Sequence, residues 1–161
     1  MRASGRSRLA RLPRPPAVRR FARPLRGPTR ASALRSAVDG VIVASSLRRH
    51  GARRLLARVR TDLPDHDLER SMAVSEAVDA GLGLIPIAPT CLRRSVTLVR
   101  ELNRLGLGAA IHVGVRRVGS GVEAHAWVQV GDAVVNDDPG VTTSYATLAA
   151  GDLERLVVPL R

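Results

Sequence analysis

Residues 91–106 read CLRRSVTLVRELNRLG and residues 124–138 read AHAWVQVGDAVVNDD, and these two stretches decide the fold. The first stretch has the period of an amphipathic helix, and Gly106 stands where that helix is expected to end. The second stretch alternates apolar and polar residues, which is typical of a strand. Its Gly131-Asp132 pair predicts a two-residue hairpin turn. A helix followed by antiparallel strands indicates an α+β fold.

The helix predicted over residues 91–105 is the strongest helical pattern in the chain. Thr90 directly precedes it and is a residue type favoured as an N-cap. Four apolar residues fall on one face: Leu92, Val96, Val99 and Leu102. Three arginines fall largely on other faces: Arg93, Arg100 and Arg104.

Three strands are predicted after this helix, and together they form an antiparallel meander. The first covers residues 109–116, in which alternate apolar residues share a face. The second covers residues 122–130, and His125 and Trp127 lie on its face opposite the apolar one. The third covers residues 133–136 and follows the hairpin turn.

The N-terminal half also has helical patterns. One helix is predicted over residues 29–50, with four apolar residues on one stripe: Leu34, Val38, Val41 and Ile42. A shorter pattern covers residues 52–60. Another helix is predicted over residues 67–80, ended by Gly81 and Gly83, with four residues expected inward: Leu68, Met72, Ala77 and Val78.

The positive charge of the chain is concentrated at its N-terminus. The net charge is +12, and residues 1–38 contain eleven arginines and no acidic residue. Residues 39–161 are close to neutral, with fifteen arginines against fourteen acidic residues. The charge therefore belongs to a tail and not to the folded body. With only three aromatic residues in the chain, a nucleic-acid partner that relies on base stacking is not favoured.

Composition also predicts the domain organisation. Residues 1–28 combine arginine with five prolines and are expected to be a disordered tail. Residues 29–88 form a helical N-terminal part, and residues 89–161 form the core that carries the candidate site. We expect residues 29–161 to be one domain.

Cysteine content and hydropathy bound the environment of the protein. A single cysteine excludes an intramolecular disulfide and a zinc site built from several cysteines, and it fits a reducing compartment. No apolar run approaches the roughly 20 residues needed to cross a bilayer. We therefore expect a cytoplasmic protein with no membrane partner.

That cysteine, Cys91, is a candidate nucleophile because a helix N-terminus favours the thiolate over the thiol. His125 is the best general base and acid, since it lies opposite the apolar face of its strand. The third candidate is a carboxylate that orients the imidazole. A two-residue turn places Asp138 opposite His125, whereas a longer loop or a bulge would place Asp137 there.

The other histidines are expected to be structural or solvated. His50 and His66 stand among charged residues. His112 is predicted to have a structural role on its strand. No pair of histidines has a metal-ligand spacing together with the cysteine, so a metal site is not expected.

Several motifs, taken in order, resemble the stand-alone leader peptidase of lasso-peptide biosynthesis. They are Cys-Leu-x-Arg-Ser at 91–95, Gly-Val-Arg at 114–116, Ala-His-Ala-Trp-Val at 124–128 and Asn-Asp at 136–137. The resemblance covers residues 89–139 well and implies a transglutaminase-like, papain-related fold. It further implies a Cys-His-Asp triad of Cys91, His125 and Asp137, and the spacing in that family favours Asp137 over Asp138.

By this resemblance the chain cleaves the leader from a precursor peptide and needs no cofactor. The implied partners are the precursor, a separate leader-binding protein and an ATP-using lasso cyclase, since no strand-rich recognition module precedes Cys91. Two alternatives stay open. One is another transglutaminase-like amidase or amine-transferring acyltransferase, and the other is a non-enzymatic binding protein that acts through its basic tail.

Overall fold

The computed structural model describes residues 28–56, 63 and 65–148. The helices and strands follow in this order: α1 (Pro28–Leu56), α2 (Leu68–Gly83), α3 (Cys91–Arg104), β1 (Ala110–Val118), β2 (Gly121–Val130), β3 (Ala133–Val134), α4 (Val141–Ser144) and β4 (Ala146–Thr147). Residues 1–27 of the predicted tail and residues 57–60 of the second predicted helix lie outside the described residues. No helix within the described ranges has the length and apolar character needed to cross a bilayer.

Helix α1 begins at Pro28 and is divided by a kink at Gly51. Proline suits the first turn of a helix because its missing N–H has no partner there in any case. Gly51 has φ 72° and ψ 173°, a conformation outside the helical region. The kink lies between the two helical segments predicted from the sequence.

The apolar stripe of α1 does not face the core. Its four residues are 43% to 65% exposed: Leu34, Val38, Val41 and Ile42. The buried face of α1 consists mainly of small and polar residues: Ser32, Ala33, Ser36, Asp39, Gly40 and Val43. The four apolar residues do share one face of the helix. Close contact with α2 and ion pairs with α3 place the opposite face inward.

Helices α1 and α2 approach each other closely enough to require glycine. A Cβ on Gly81 would lie 2.1 Å from the backbone oxygen of Ala33, and a Cβ on Gly40 would lie 2.4 Å from a methyl group of Leu82. Larger side chains at these crossings would separate the helices. This close approach explains why α1 turns its small residues toward α2.

A network of ion pairs holds α1 against α3. Glu101 of α3 is only 1% exposed and accepts hydrogen bonds from Arg35 of α1, at 2.6 and 3.1 Å to its Oε1, and from Arg104. Asp39 of α1 accepts a 3.0 Å hydrogen bond from Arg104 and lies 3.5 Å from Arg100. Burial by itself raises the pKa of Glu101, but the hydrogen bonds from Arg35, Ser32 and Arg104 and the positive charge of Arg35 lower it overall.

Helix α2 begins one residue later than predicted and continues to Gly83. The side chain of Asp67 caps it by accepting a 2.9 Å hydrogen bond from the N–H of Arg70. Ala77 and Val78 are buried as predicted. Leu68 and Met72 are 41% and 43% exposed, so the prediction that they point inward is wrong.

Helix α3 has the predicted bounds within one residue. Thr90 is its N-cap and accepts a 3.3 Å hydrogen bond from the N–H of Arg93. Gly106 follows its end with φ 80°, a left-handed conformation that glycine adopts at little cost. Arg93 is an exception to the predicted pattern, because its side chain is 2% exposed and donates to the carbonyl oxygen of Ile87. Burial lowers the pKa of this guanidinium.

The strands form one antiparallel sheet in the order β3-β2-β1-β4. The hairpin from β1 to β2 is long and regular, with Gly114 opposite His125. Strand β3 is shorter than predicted, and β4, which pairs with β1, was not predicted. The α+β class is confirmed, with helices preceding an antiparallel sheet.

Buried side chains lie on both faces of the sheet. The larger cluster joins α2 and α3 to alternate residues of β2, among them Val128 and Val130. The smaller cluster lies on the opposite face and consists of Trp127, Val141, Tyr145 and the partly buried Val134. Helix α4 and Tyr145 therefore cover part of the sheet face that carries His125.

Candidate active site

Cys91 is the first residue of α3 and is half-buried. Thr90 accepts hydrogen bonds from the N–H groups of Arg93 and Arg94. The first N–H groups of a helix have no partner within the helix, so those of Cys91 and Leu92 can donate to an anion at this end. The position therefore favours negative charge on the thiol sulfur and on a neighbouring oxygen.

A buried hydrogen-bond network attaches this end of α3 to strand β2. The Ser95 hydroxyl donates to the carbonyl oxygen of Ala126 at 3.1 Å and accepts from the side-chain amide of Asn136 at 3.1 Å. The side-chain oxygen of Asn136 in turn accepts from the N–H of Val128 at 2.7 Å. Ser95 is 0% and Asn136 4% exposed, so all three bonds are shielded from water.

This network attaches α3 to β2 one helical turn after Cys91. Cys91 lies one helical turn, about 5.4 Å along the axis, before Ser95 and on the same face of α3. His125 directly precedes Ala126 in β2. The N-terminus of α3 therefore stands beside the strand that carries His125.

The imidazole of His125 is paired with Asp137. Its Nε2 lies 2.6 Å from Oδ2 of Asp137, and the two side chains are 24% and 28% exposed. An ionised carboxylate only accepts hydrogen bonds, so Nε2 carries the proton in this pair. The second ring nitrogen, Nδ1, is left for a different partner. The other oxygen of Asp137 accepts from the N–H of Asp138 at 2.8 Å and fixes the carboxylate.

Asp138 has a separate role in the local turn. Its Oδ1 accepts a 2.8 Å hydrogen bond from the N–H of Gly140. The two-residue turn is present, with Val130 opposite Ala133. Neither a longer loop nor a bulge in that turn explains the placement of Asp137.

The pairing of β2 and β3 ends before it reaches the aspartates. The last backbone bond of this ladder joins the N–H of Val135 to the carbonyl oxygen of Val128 at 3.0 Å. At the next residue, the N–H of Val128 donates to the side-chain oxygen of Asn136 and not to a backbone carbonyl. The chain therefore leaves the sheet at Asn136, and Asp137 turns back toward His125. Asn136 was part of the motif seen in the sequence, but nothing in its local pattern predicted this role.

Arg94, also part of that motif, pairs with the carboxylate of Asp79 in α2 through two of its nitrogens. The side chains are 26% and 27% exposed. The contact fastens α2 to the first turn of α3. Arg94 thus supports the position of the helix end that carries Cys91.

The remaining sequence candidates lie around this centre. His112 is stacked on Trp127, with ring centroids 5.8 Å apart and planes 17° apart, and burial lowers its pKa. Trp127 is 1% exposed, so its ring is part of the core, and His112 beside it is half-buried. His50 and His66 are exposed. Within the described ranges, no group of three or more histidines, cysteines or carboxylates is placed to hold a metal ion.

A family model described as the transglutaminase-like superfamily matches residues 34–150, which is more than half of the chain. The chain belongs to the transglutaminase-like superfamily. Enzymes of this superfamily typically depend on a cysteine, in agreement with the arrangement at the N-terminus of α3. No curated protein and no solved structure matches the chain significantly.

The family match covers the elements around the site. The matched residues include α2, α3 and all four strands, as well as each of the three candidate residues. The helix with the cysteine comes first, the strand with the histidine second and the aspartate third. The catalytic roles of Cys91, His125 and Asp137 remain predictions.

Proposed function

We propose that this transglutaminase-like protein is a cysteine peptidase that removes the leader from a lasso precursor peptide. The observation that carries the proposal is the 2.6 Å contact between His125 Nε2 and Asp137 Oδ2, beside the helix end that holds Cys91. This contact orients the imidazole of His125, and Nδ1 is the nitrogen that takes the proton of the Cys91 thiol. The order of motifs and the superfamily membership support the same reading.

In the first half of the reaction, His125 and Cys91 form a thiolate–imidazolium pair. The sulfur attacks the carbonyl carbon of the bond between leader and core. The oxyanion that forms is stabilised by N–H groups at the start of α3. The carbon–nitrogen bond then breaks, the imidazolium gives its proton to the leaving amine, and the leader remains attached as a thioester.

In the second half, water hydrolyses that thioester. The neutral imidazole of His125 takes a proton from the water, and the hydroxide attacks the thioester carbonyl. The carbon–sulfur bond breaks and Cys91 leaves as thiolate, with the imidazolium restored beside it. The products are a leader with a free carboxylate and a core peptide with a free α-amine, and no cofactor takes part.

The proposed partners follow from the proposed reaction. A separate leader-binding protein presents the precursor to the site, and an ATP-using cyclase takes the core amine as its substrate. The peptidase, the leader-binding protein and the cyclase all act in the cytoplasm. A pull-down of the precursor by the peptidase, with and without the leader-binding protein, tests this dependence directly: equal capture in both cases contradicts it.

The test of the reaction is cleavage of a cognate precursor, followed by mass spectrometry. We expect two fragments whose masses sum to the precursor plus one water. Cys91→Ala and His125→Ala should each abolish cleavage, and Asp137→Asn should reduce it by a factor of about 100 or more, because the imidazole loses the acceptor that orients it. Cleavage at the native rate by Cys91→Ala would refute the proposal.

Two controls separate the alternatives. Asp138→Asn is the matched control for Asp137→Asn and should retain most activity, because the Asp138 side chain accepts from the N–H of Gly140 in its own turn and the substitution keeps the backbone N–H that donates to Asp137. Addition of a primary amine distinguishes an acyltransferase, which would give an amine conjugate instead of a free leader carboxylate. Removal of residues 1–27 should leave the cleavage chemistry largely intact, whereas a function carried by the basic tail would be lost.

A further inference from the structure

His125 is in contact with a second side chain besides Asp137. The ring of Tyr145 is stacked on the imidazole, with centroids 5.2 Å apart and planes 28° apart. Tyr145 is 9% exposed and belongs to the smaller buried cluster with Trp127 and Val141. It follows α4 and lies twenty residues beyond His125 in the chain.

The contact matters because one hydrogen bond does not fix an imidazole completely. The bond from Nε2 to Asp137 fixes one atom of the ring, but the ring can still rotate about the direction of that bond. Such a rotation swings Nδ1 away from the nucleophile while the hydrogen bond persists. A flat group stacked on the ring opposes this rotation, since tilting would break the stacking contact.

Tyr145 is itself held at its hydroxyl end. The hydroxyl donates to Oε1 of Glu123 at 2.8 Å. Arg116 holds the other oxygen, Oε2, with hydrogen bonds of 3.1 and 2.9 Å, and its guanidinium carbon lies 4.7 Å from the centroid of the Tyr145 ring. Burial and the bond to Glu123 raise the pKa of Tyr145, so the hydroxyl stays protonated and able to donate.

At the backbone end of its side chain, Tyr145 packs directly against Gly114. Gly114 stands opposite His125 in the β1–β2 ladder, and a Cβ there would lie 2.8 Å from the Cβ of Tyr145. Only a residue without a side chain leaves room for the tyrosine above this pair of strands. The Gly-Val-Arg motif thus supplies both the space for Tyr145 and, through Arg116, the support for its hydroxyl.

We propose that Tyr145 is a positioning residue for His125, its ring fixing the plane of the imidazole while the Glu123–Arg116 pair fixes the ring. The proposal rests on the proposed function, because it concerns the pair formed by His125 and Cys91. It assigns no contact with the substrate to Tyr145. Its consequence is that Nδ1 is oriented before the substrate arrives.

The test measures the rate at which iodoacetamide alkylates the thiol as a function of pH. Only Cys91 can react, because it is the single cysteine of the chain. Tyr145→Leu removes the stacked ring and should shift the alkylation profile upward by about one pH unit, a loss of about tenfold in rate at pH near 6. Tyr145→Phe keeps the ring and should lose about two- to threefold.

Matched variants and a stability measurement exclude a merely structural effect. Arg116→Gln should show a small loss in the same direction as Tyr145→Phe. Arg117→Gln should behave as the native protein, because Arg117 is exposed and lies on the other face of β1. Urea unfolding of each variant gives its stability. A tyrosine with only a packing role would lower the urea midpoint and leave the alkylation profile unchanged.

The outcomes separate this inference from the proposed function. If His125→Ala has the native profile, no activated Cys–His pair exists and the proposed function fails with it. If His125→Ala shifts the profile but a folded Tyr145→Leu does not, the positioning role alone is overturned. Should Tyr145→Leu not fold, Tyr145→Phe and Glu123→Ala decide: native profiles in both contradict the proposal.

Discussion

Replacing Ser95 by alanine removes the hydroxyl that joins α3 to β2, and the structure indicates how much this should cost. The amide of Asn136 and the carbonyl of Ala126 both lose a partner in a site closed to water. An unsatisfied buried polar group costs about 1–3 kcal/mol, so the two groups together should cost about 2–6 kcal/mol. With a urea dependence of about 2 kcal/mol per molar, the unfolding midpoint should fall by about 1–3 M.

The matched control is Ser36→Ala. Ser36 is 0% exposed, and its hydroxyl has no hydrogen-bond partner within the described part of the chain. The same substitution there removes an unpaired polar atom, so stability should be unchanged or slightly increased. The assay is urea unfolding of both variants and the native protein at equal pH and salt.

Two results would refute this reasoning. One is an equal urea midpoint for Ser95→Ala and Ser36→Ala, which would mean that the bonds of Ser95 contribute nothing beyond those of an unpaired hydroxyl. The other concerns the thiol. Because Ser95 holds the end of α3 beside His125, a folded Ser95→Ala protein should alkylate Cys91 more slowly at neutral pH, and a native profile would contradict that link.

Three further outcomes are expected. Gly114→Ala should cost about 1–3 kcal/mol through crowding, whereas Gly83→Ala, with nothing within 4 Å of the new methyl group, should not lower the urea midpoint. Burial holds the pKa of His112 below its ordinary 6.5, so below that pH the unfolded chain binds a proton at this residue more readily than the folded protein does. The free energy of unfolding should therefore fall as the pH drops below about 6.5. Urea titrations over a pH series measure this fall, and His112→Gln should make it smaller. A double-mutant cycle of Arg94→Ala and Asp79→Ala should give a coupling of about 1 kcal/mol, and a value near zero would contradict the pairing seen here.

The parts of the fold that sequence predicted well are those decided by local pattern. Helix α3 has a strong apolar period and clear end signals at Thr90 and Gly106. The β1–β2 hairpin has a strong alternation of apolar and polar residues. An apolar period alone does not say which side of a helix is covered. In α1 the covered side depends on the glycine crossings with α2 and the ion pairs with α3, which join residues up to 66 positions apart.

The candidate site shows the same division. Cys91 and His125 could be selected from their places on a helix start and a polar strand face. The choice between Asp137 and Asp138 could not be made from strand register, because a side chain, that of Asn136, ends the ladder early. Tyr145 could not be found at all from pattern, since its contacts with His125 and Glu123 span twenty and 22 positions.

The buried Glu101 has a mechanical consequence for α1. A helix held only by apolar side chains can slide by one turn, about 5.4 Å, and still bury similar area. The carboxylate of Glu101 is 1% exposed and is held by Arg35 of α1 as well as by Arg104 of its own helix. A slide of α1 would remove Arg35, and no water could take its place at this buried carboxylate. The pair formed by Glu101 and Arg35 therefore fixes the position of α1 along α3.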